Sequence, residues 1–115
     1  MSKAAFEIKG LDELKKSLGR KKMSIEQINK AVEAAVKVGY EDAVANCPRK
    51  TNTLANSIEK RVEGTTGIVE TKLRYAPFVE FGTKKHGPAQ PFMRPAQEKA
   101  RQTLFDEALK LVKAK

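Results

Sequence analysis

The chain is poor in the residues that carry most protein chemistry: its 115 residues include one Cys, one His and no Trp. A single cysteine, Cys47, excludes an internal disulfide, and with it the disulfide-stapled class of small secreted domains. One Cys and one His, His86, cannot build a zinc site of the Cys/His kind, and neither a CxxC nor an HExxH spacing occurs. No apolar run reaches the ~18 residues expected of a membrane span. The opening Met1-Ser2-Lys3-Ala4-Ala5-Phe6-Glu7 lacks the apolar stretch of a signal peptide, so the expectation is synthesis in a cytoplasm and no membrane partner. A chain of this length makes one domain, 1–115, with one modest core and a radius of gyration of roughly 13 Å.

Charge, by contrast, is plentiful. The 23 Lys+Arg outnumber the 14 Asp+Glu and leave a net charge of +9, which invites a nucleic-acid reading through phosphate neutralisation. The distribution weakens that reading. Residues 1–50 hold 11 basic and 7 acidic side chains, and residues 51–115 hold 12 and 7, so the excess is spread evenly and mixed with acids. The densest groups, Arg20-Lys21-Lys22, Arg49-Lys50 and Lys84-Lys85-His86, fall in predicted loops, and no run interleaves them with aromatic rings as a single-strand stacking platform would.

The hydrophobic pattern sets out a small α+β domain. Ala4 to Lys9 alternates with period two, with Ala4, Phe6 and Ile8 on one side, which predicts a strand. Leu11, Leu14 and Leu18 recur at helical spacing behind it. Ser24-Ile25-Glu26-Gln27 is a capping box that opens a long helix to about Cys47, with an apolar stripe of Ile25, Ile28, Val32, Ala35, Val36, Ala43, Val44 and Cys47. Gly39 lies on that stripe, where it costs ~1 kcal/mol relative to Ala and so marks close approach of another backbone. Pro48 ends the helix. Ile58 to Leu73 reads as a hairpin around Gly64-Thr65-Thr66-Gly67, with Glu59, Arg61, Glu63 and Glu70 directed to solvent or a partner. Tyr75 to Thr83 reads as one short helical turn, with Pro77 at its start and Gly82 as its left-handed end. A flexible basic loop at about 83–91 precedes a last helix from near Pro95. The resulting expectation is a small antiparallel sheet, hairpin plus N-terminal strand, packed against one long central helix and a C-terminal helix.

A search for chemistry returns no catalytic set, no metal site and no cofactor site. Cys47 falls on the apolar stripe of the long helix and reads as a small buried hydrophobe rather than a nucleophile. Glu80, the one acid within the apolar segment, reads as a carboxylate bonded to backbone N–H groups or to an arginine such as Arg74 or Arg94 rather than as an acid–base catalyst. Four of the seven aromatics, Tyr75, Phe78, Phe81 and Phe92, cluster around the basic loop, where they either complete the core or form a contact surface for another chain.

Three motifs then fall in register. Ile8-Lys9-Gly10-Leu11-Asp12-Glu13-Leu14, the run Cys47 to Ile58, and Tyr75 to Thr83 with its sequel Gln90-Pro91-Phe92-Met93-Arg94-Pro95-Ala96 together resemble the head–tail joining family of tailed bacteriophages and prophages, also called tail-completion or minor tail proteins. Asn52 stands where that family usually has glycine, and Asn tolerates the left-handed region better than most residues. The resemblance implies a structural, non-enzymatic protein of the virion neck, made in the bacterial host cytoplasm. Its partners would be copies of itself in a ring, commonly of six, and neighbouring neck or tail proteins. The interface residues expected are Tyr75, Phe78, Glu80, Phe81, Gly82, Thr83 and Phe92. The basic loops carrying Arg49, Lys50, Lys84, Lys85 and His86 would face DNA in the lumen through weak, non-specific contact. A small basic nucleic-acid-binding protein is the alternative, although Pro48 and a hairpin, not a recognition helix, follow the long helix.

Overall fold

The computed structural model describes residues 4–18, 24–47, 52–82 and 91–113. The alternating N-terminal segment forms β1 (Ala4–Lys9), and α1 (Gly10–Leu18) follows without a gap. Ser24 then caps α2 (Ile25–Asn46): its hydroxyl accepts from the Gln27 N–H at 3.1 Å, and the Gln27 side chain accepts from the Ser24 N–H at 3.0 Å. This is the reciprocal box written in the sequence. A short helix absent from the sequence expectation, α3 (Thr53–Ser57), comes next. The hairpin strands β2 (Glu59–Glu63) and β3 (Thr66–Thr71) follow, then α4 (Ala76–Phe81) and α5 (Met93–Lys113).

The architecture is α+β, as expected. The sheet has the order β1-β3-β2, antiparallel throughout, with α2 and α5 packed together against one of its faces. The core is continuous between sheet and helices, with Ile8, Val32, Val69, Phe92 and Leu104 shut off from solvent. The radius of gyration is 15.5 Å, above the value for a compact chain of this length, and the longest axis measures 52 Å.

The α2–α5 contact rests on small side chains repeated every four residues. Ala31, Ala35, Gly39 and Ala43 on α2 meet a helix carrying Ala96, Ala100, Leu104 and Ala108, all of them buried. Side chains four apart form one ridge of a helix, so small residues along both ridges let the axes approach. At Gly39 an added Cβ would lie 2.6 Å from Phe6 Cζ and 3.1 Å from Ala100 Cβ, which explains the glycine that the periodicity marked.

The hairpin departs from expectation in three ways. Its turn is only Gly64-Thr65, because Glu63 pairs with Thr66, so Thr66 and Gly67 belong to β3. Every residue of β2 is exposed, although Lys60 and Val62 share the helix-side face with Phe6 and Ile8. Glu70, expected in solvent, is buried on the central strand and receives a hydrogen bond from Arg61, which also bonds Glu63 at 2.9 Å. A central strand is flanked on both sides, so its outward residues are roofed by neighbouring side chains; an edge strand is not.

Candidate functional site

The aromatic segment is held by one carboxylate. Glu80, on α4, is 2% exposed. Its Oε1 accepts from the backbone N–H groups of Phe92 at 3.0 Å and Met93 at 2.8 Å, and its Oε2 accepts from the Arg94 N–H at 3.2 Å and from Arg94 Nε at 3.2 Å. The first turn of a helix leaves its N–H groups without intrahelical partners and carries partial positive charge. Glu80 therefore caps α5 from a distance of 12 residues in sequence and joins the two ends of the 83–90 segment. This is the reading of Glu80 as a carboxylate bonded to backbone N–H groups and Arg94; Arg74 has no part in these bonds.

Around that clamp the predicted interface residues separate by exposure. Phe92 is fully buried, and Glu80 with it, so both lie behind the surface rather than on it. Phe78 is half-buried. Tyr75 is 39% exposed and Phe81 is 60% exposed, the most exposed large apolar side chain among the described residues. The Arg94 guanidinium sits 5.6 Å from the centroid of the Phe81 ring, a cation–π distance, so one arginine touches both the buried acid and the exposed ring.

Gly82 ends α4 with its N–H donating to Phe78 O at 2.8 Å. Its φ of 74° is positive as expected, but its ψ of 156° places it outside the left-handed helical region predicted for it. That combination is accessible essentially to glycine alone. A hollow of about 50 Å³ lies beside the ring, lined by Ala5, Phe6, Glu80, Phe81, Met93, Arg94 and Gln97.

The remaining predicted residues fall elsewhere. Thr83, Lys84, Lys85 and His86, with the basic loop at 83–91 up to residue 90, and Arg49 and Lys50 lie outside the described residues. Cys47 is buried, its thiol donating to Val44 O at 3.4 Å, as a structural cysteine would be. Among the described residues no three His, Cys, Asp or Glu side chains gather as a metal site, and no helix is long and apolar enough to cross a membrane. Asn52 adopts φ 61°, ψ 0°, the left-handed conformation, directly before α3. The turn that glycine would make is thus made by asparagine. Ser57, next in that motif, shares a 2.6 Å hydrogen bond with Thr71 and ties α3 to the end of β3.

Residues 8–82 match the model of the family described as "Bacteriophage HK97-gp10, putative tail-component". The chain belongs to that family. The match runs from Ile8, at the end of β1, through α4 to Gly82, and stops before Phe92 and α5. It brings the chain into a family of phage tail components. No curated protein and no solved structure matches the chain.

Proposed function

We propose that this protein is a structural virion component that joins tail to head at the neck of a tailed phage or prophage, as one subunit of a ring. The observation that carries the proposal is Phe81. In a member of a tail-component family, this ring stands 60% exposed on a platform fixed by the Glu80 clamp. An exposed aromatic beside an arginine, on a backbone that is already rigid, is what a contact hot spot requires, since little freedom is lost on docking. The contact surface comprises Tyr75, Phe78, Phe81, Gly82 and Thr83, while Glu80 and Phe92 hold it from behind.

The basic loops with Arg49, Lys50, Lys84, Lys85 and His86 are proposed to line the DNA passage by charge alone, supported by the net +9. A regulator that reads DNA sequence fits less well. The helix after α2 is only five residues long, too short for a recognition helix.

The test is joining of purified heads and tails, or rescue of infectious particles, by wild type, Phe81→Ala and a deletion of residues 84–89. Loss of joining by variants that keep wild-type circular dichroism and melting supports the proposal. Full joining by both folded variants overturns it.

A further inference from the structure

The two edges of the sheet are complementary to each other, row by row. On the solvent face the paired residues run Ala5–Glu70–Glu59, Glu7–Ile68–Arg61 and Lys9–Thr66–Glu63 from β1 across β3 to β2. In two of these three rows the edge residues carry opposite charge: Glu7 against Arg61, and Lys9 against Glu63. On the helix side the rows end in Phe6 and Lys60, and in Ile8 and Val62. Among the described residues, neither outer edge makes a backbone hydrogen bond to another element. Ala5, Glu7 and Lys9 are exposed, as is all of β2.

We propose that β2 of one copy adds to β1 of the next, in parallel and without a shift of row, so that the sheet continues from subunit to subunit. Both strands run antiparallel to β3 and are therefore parallel to each other, so the sheet can extend with all helices on the same side. Across the junction Glu7 faces Arg61 of the next copy, Lys9 faces its Glu63, and Ala5 faces its Glu59. The helix-side rows bring Ile8 alongside Val62.

Two-fold pairings centred on the middle charged residue of either edge lack this match, whereas β1 centred on Ile8 (Glu7 against Lys9) or β2 centred on Val62 (Arg61 against Glu63) keeps opposite charges together. β2 against β2, centred on Arg61, opposes the two arginines and sets Glu59 against Glu63. β1 against β1, centred on Glu7, opposes two carboxylates. Opposite charges directly across a strand pair stabilise it and like charges destabilise it. Charged edges ordinarily guard a sheet against such addition. Here the guards of one edge are the counterions of the other, which permits the head-to-tail contact, and the cross-link below separates it from a two-fold pairing. Such a heterologous contact closes into a ring or grows into a fibre. The inference deepens the ring reading above and rests on it.

The test has two arms. In the first, Ala5→Cys and Glu59→Cys variants are mixed and oxidised. Adjacent strands place their Cα atoms roughly 5 Å apart, within disulfide range, whereas the same two positions within one subunit are roughly 10 Å apart and cannot be bridged. Cys47 is buried and does not compete. A cross-linked heterodimer several-fold above that from Ala5→Cys with Lys60→Cys, which point to opposite faces, is expected. In the second arm, sedimentation follows Lys9→Glu and Glu63→Lys separately and mixed. Each variant alone should self-associate about tenfold more weakly than wild type, because like charges then meet at every junction. The equimolar mixture should recover, since alternating copies restore an opposite pair at each one. Assembly of wild type with no selective cross-link and no rescue on mixing overturns the strand contact and leaves the ring reading standing. Absence of self-association, alone and with neck proteins, overturns both.

Discussion

The α2–α5 seam and the α4–α5 clamp hold the same helix by opposite means. Along the seam, α5 is fixed by what is missing: Ala96, Ala100 and Ala108 face Ala31, Ala35, Gly39 and Ala43, and the absence of bulk brings the backbones together. At its N-terminus α5 is fixed by one polar group, the Glu80 carboxylate, which satisfies three backbone N–H groups and an arginine. The seam is stabilised by many small contacts that share the load. The clamp concentrates it in one side chain, and removing that chain leaves several buried donors without partners. The lesson is where the molecule tolerates change. The seam answers to volume, the clamp to hydrogen-bonding capacity, and the exposed ring that the clamp supports answers to neither.

The comparison can be broken most sharply at Glu80. Glu80→Ala is expected to cost about 3–4 kcal/mol in urea unfolding, since it strands buried donors and an arginine that were satisfied by charge-assisted bonds. Glu80→Gln, which keeps the shape and one acceptor oxygen, should recover part of that loss. A cost for the alanine variant under ~1 kcal/mol would show that the N-terminus of α5 is held by something else.

At the seam, Gly39→Ala sets two effects against each other. Helix propensity favours alanine by ~1 kcal/mol. The added Cβ lands 2.6 Å from Phe6 Cζ and 3.1 Å from Ala100 Cβ, and overpacking of this kind costs about 1–3 kcal/mol. The net expectation is a loss of about 1–2 kcal/mol, read as a lower melting temperature; a rise would mean that the helices can part without penalty.

Arg94→Met separates the arginine from the rest of the clamp. The guanidinium is 59% exposed, so its bond to Glu80 is screened, and the loss should be about 1 kcal/mol or less while the three backbone bonds remain. The smallest effect is expected at Phe81. Phe81→Ala should change unfolding free energy by less than about 0.5 kcal/mol, because the ring is mostly in solvent, while it abolishes joining of tails to heads. A variant that loses stability and joining together would make Phe81 a packing residue after all.

These contrasts follow the line between what was legible in the sequence and what was not. The capping box at Ser24, the end of α2 near Pro48 and the alternation of β1 depend on residues within one turn or one strand of each other. They could be read directly. So could the role of Gly39, since a glycine that lowers helix propensity needs a reason, whereas Asn52 left the turn open until its left-handed φ was seen. The five-residue α3 was missed because it is too short to show a period. The hairpin turn is two residues shorter than its composition suggests, because Thr66 and Gly67 sit in a strand that packs on α2.

Burial of individual side chains was the least legible feature, and that limit shaped the candidate site. Tyr75, Phe78, Phe81 and Phe92 are one cluster in sequence, but the structure turns Phe92 wholly inward and Phe81 outward. Glu70 looked like a solvent residue of a hairpin until β1 closed on its other side and made β3 the central strand.

The sequence by itself determined the order of the longer elements, the α+β class, the cap of α2 and the scarcity of Cys, His and Trp, because each of these depends on residue type and on neighbours a few positions away. Only the tertiary structure decided which strand lies in the middle, which aromatic faces solvent and what Glu80 bonds. Those outcomes depend on segments that meet across dozens of residues, and a side chain's exposure is set by what packs over it rather than by what precedes it.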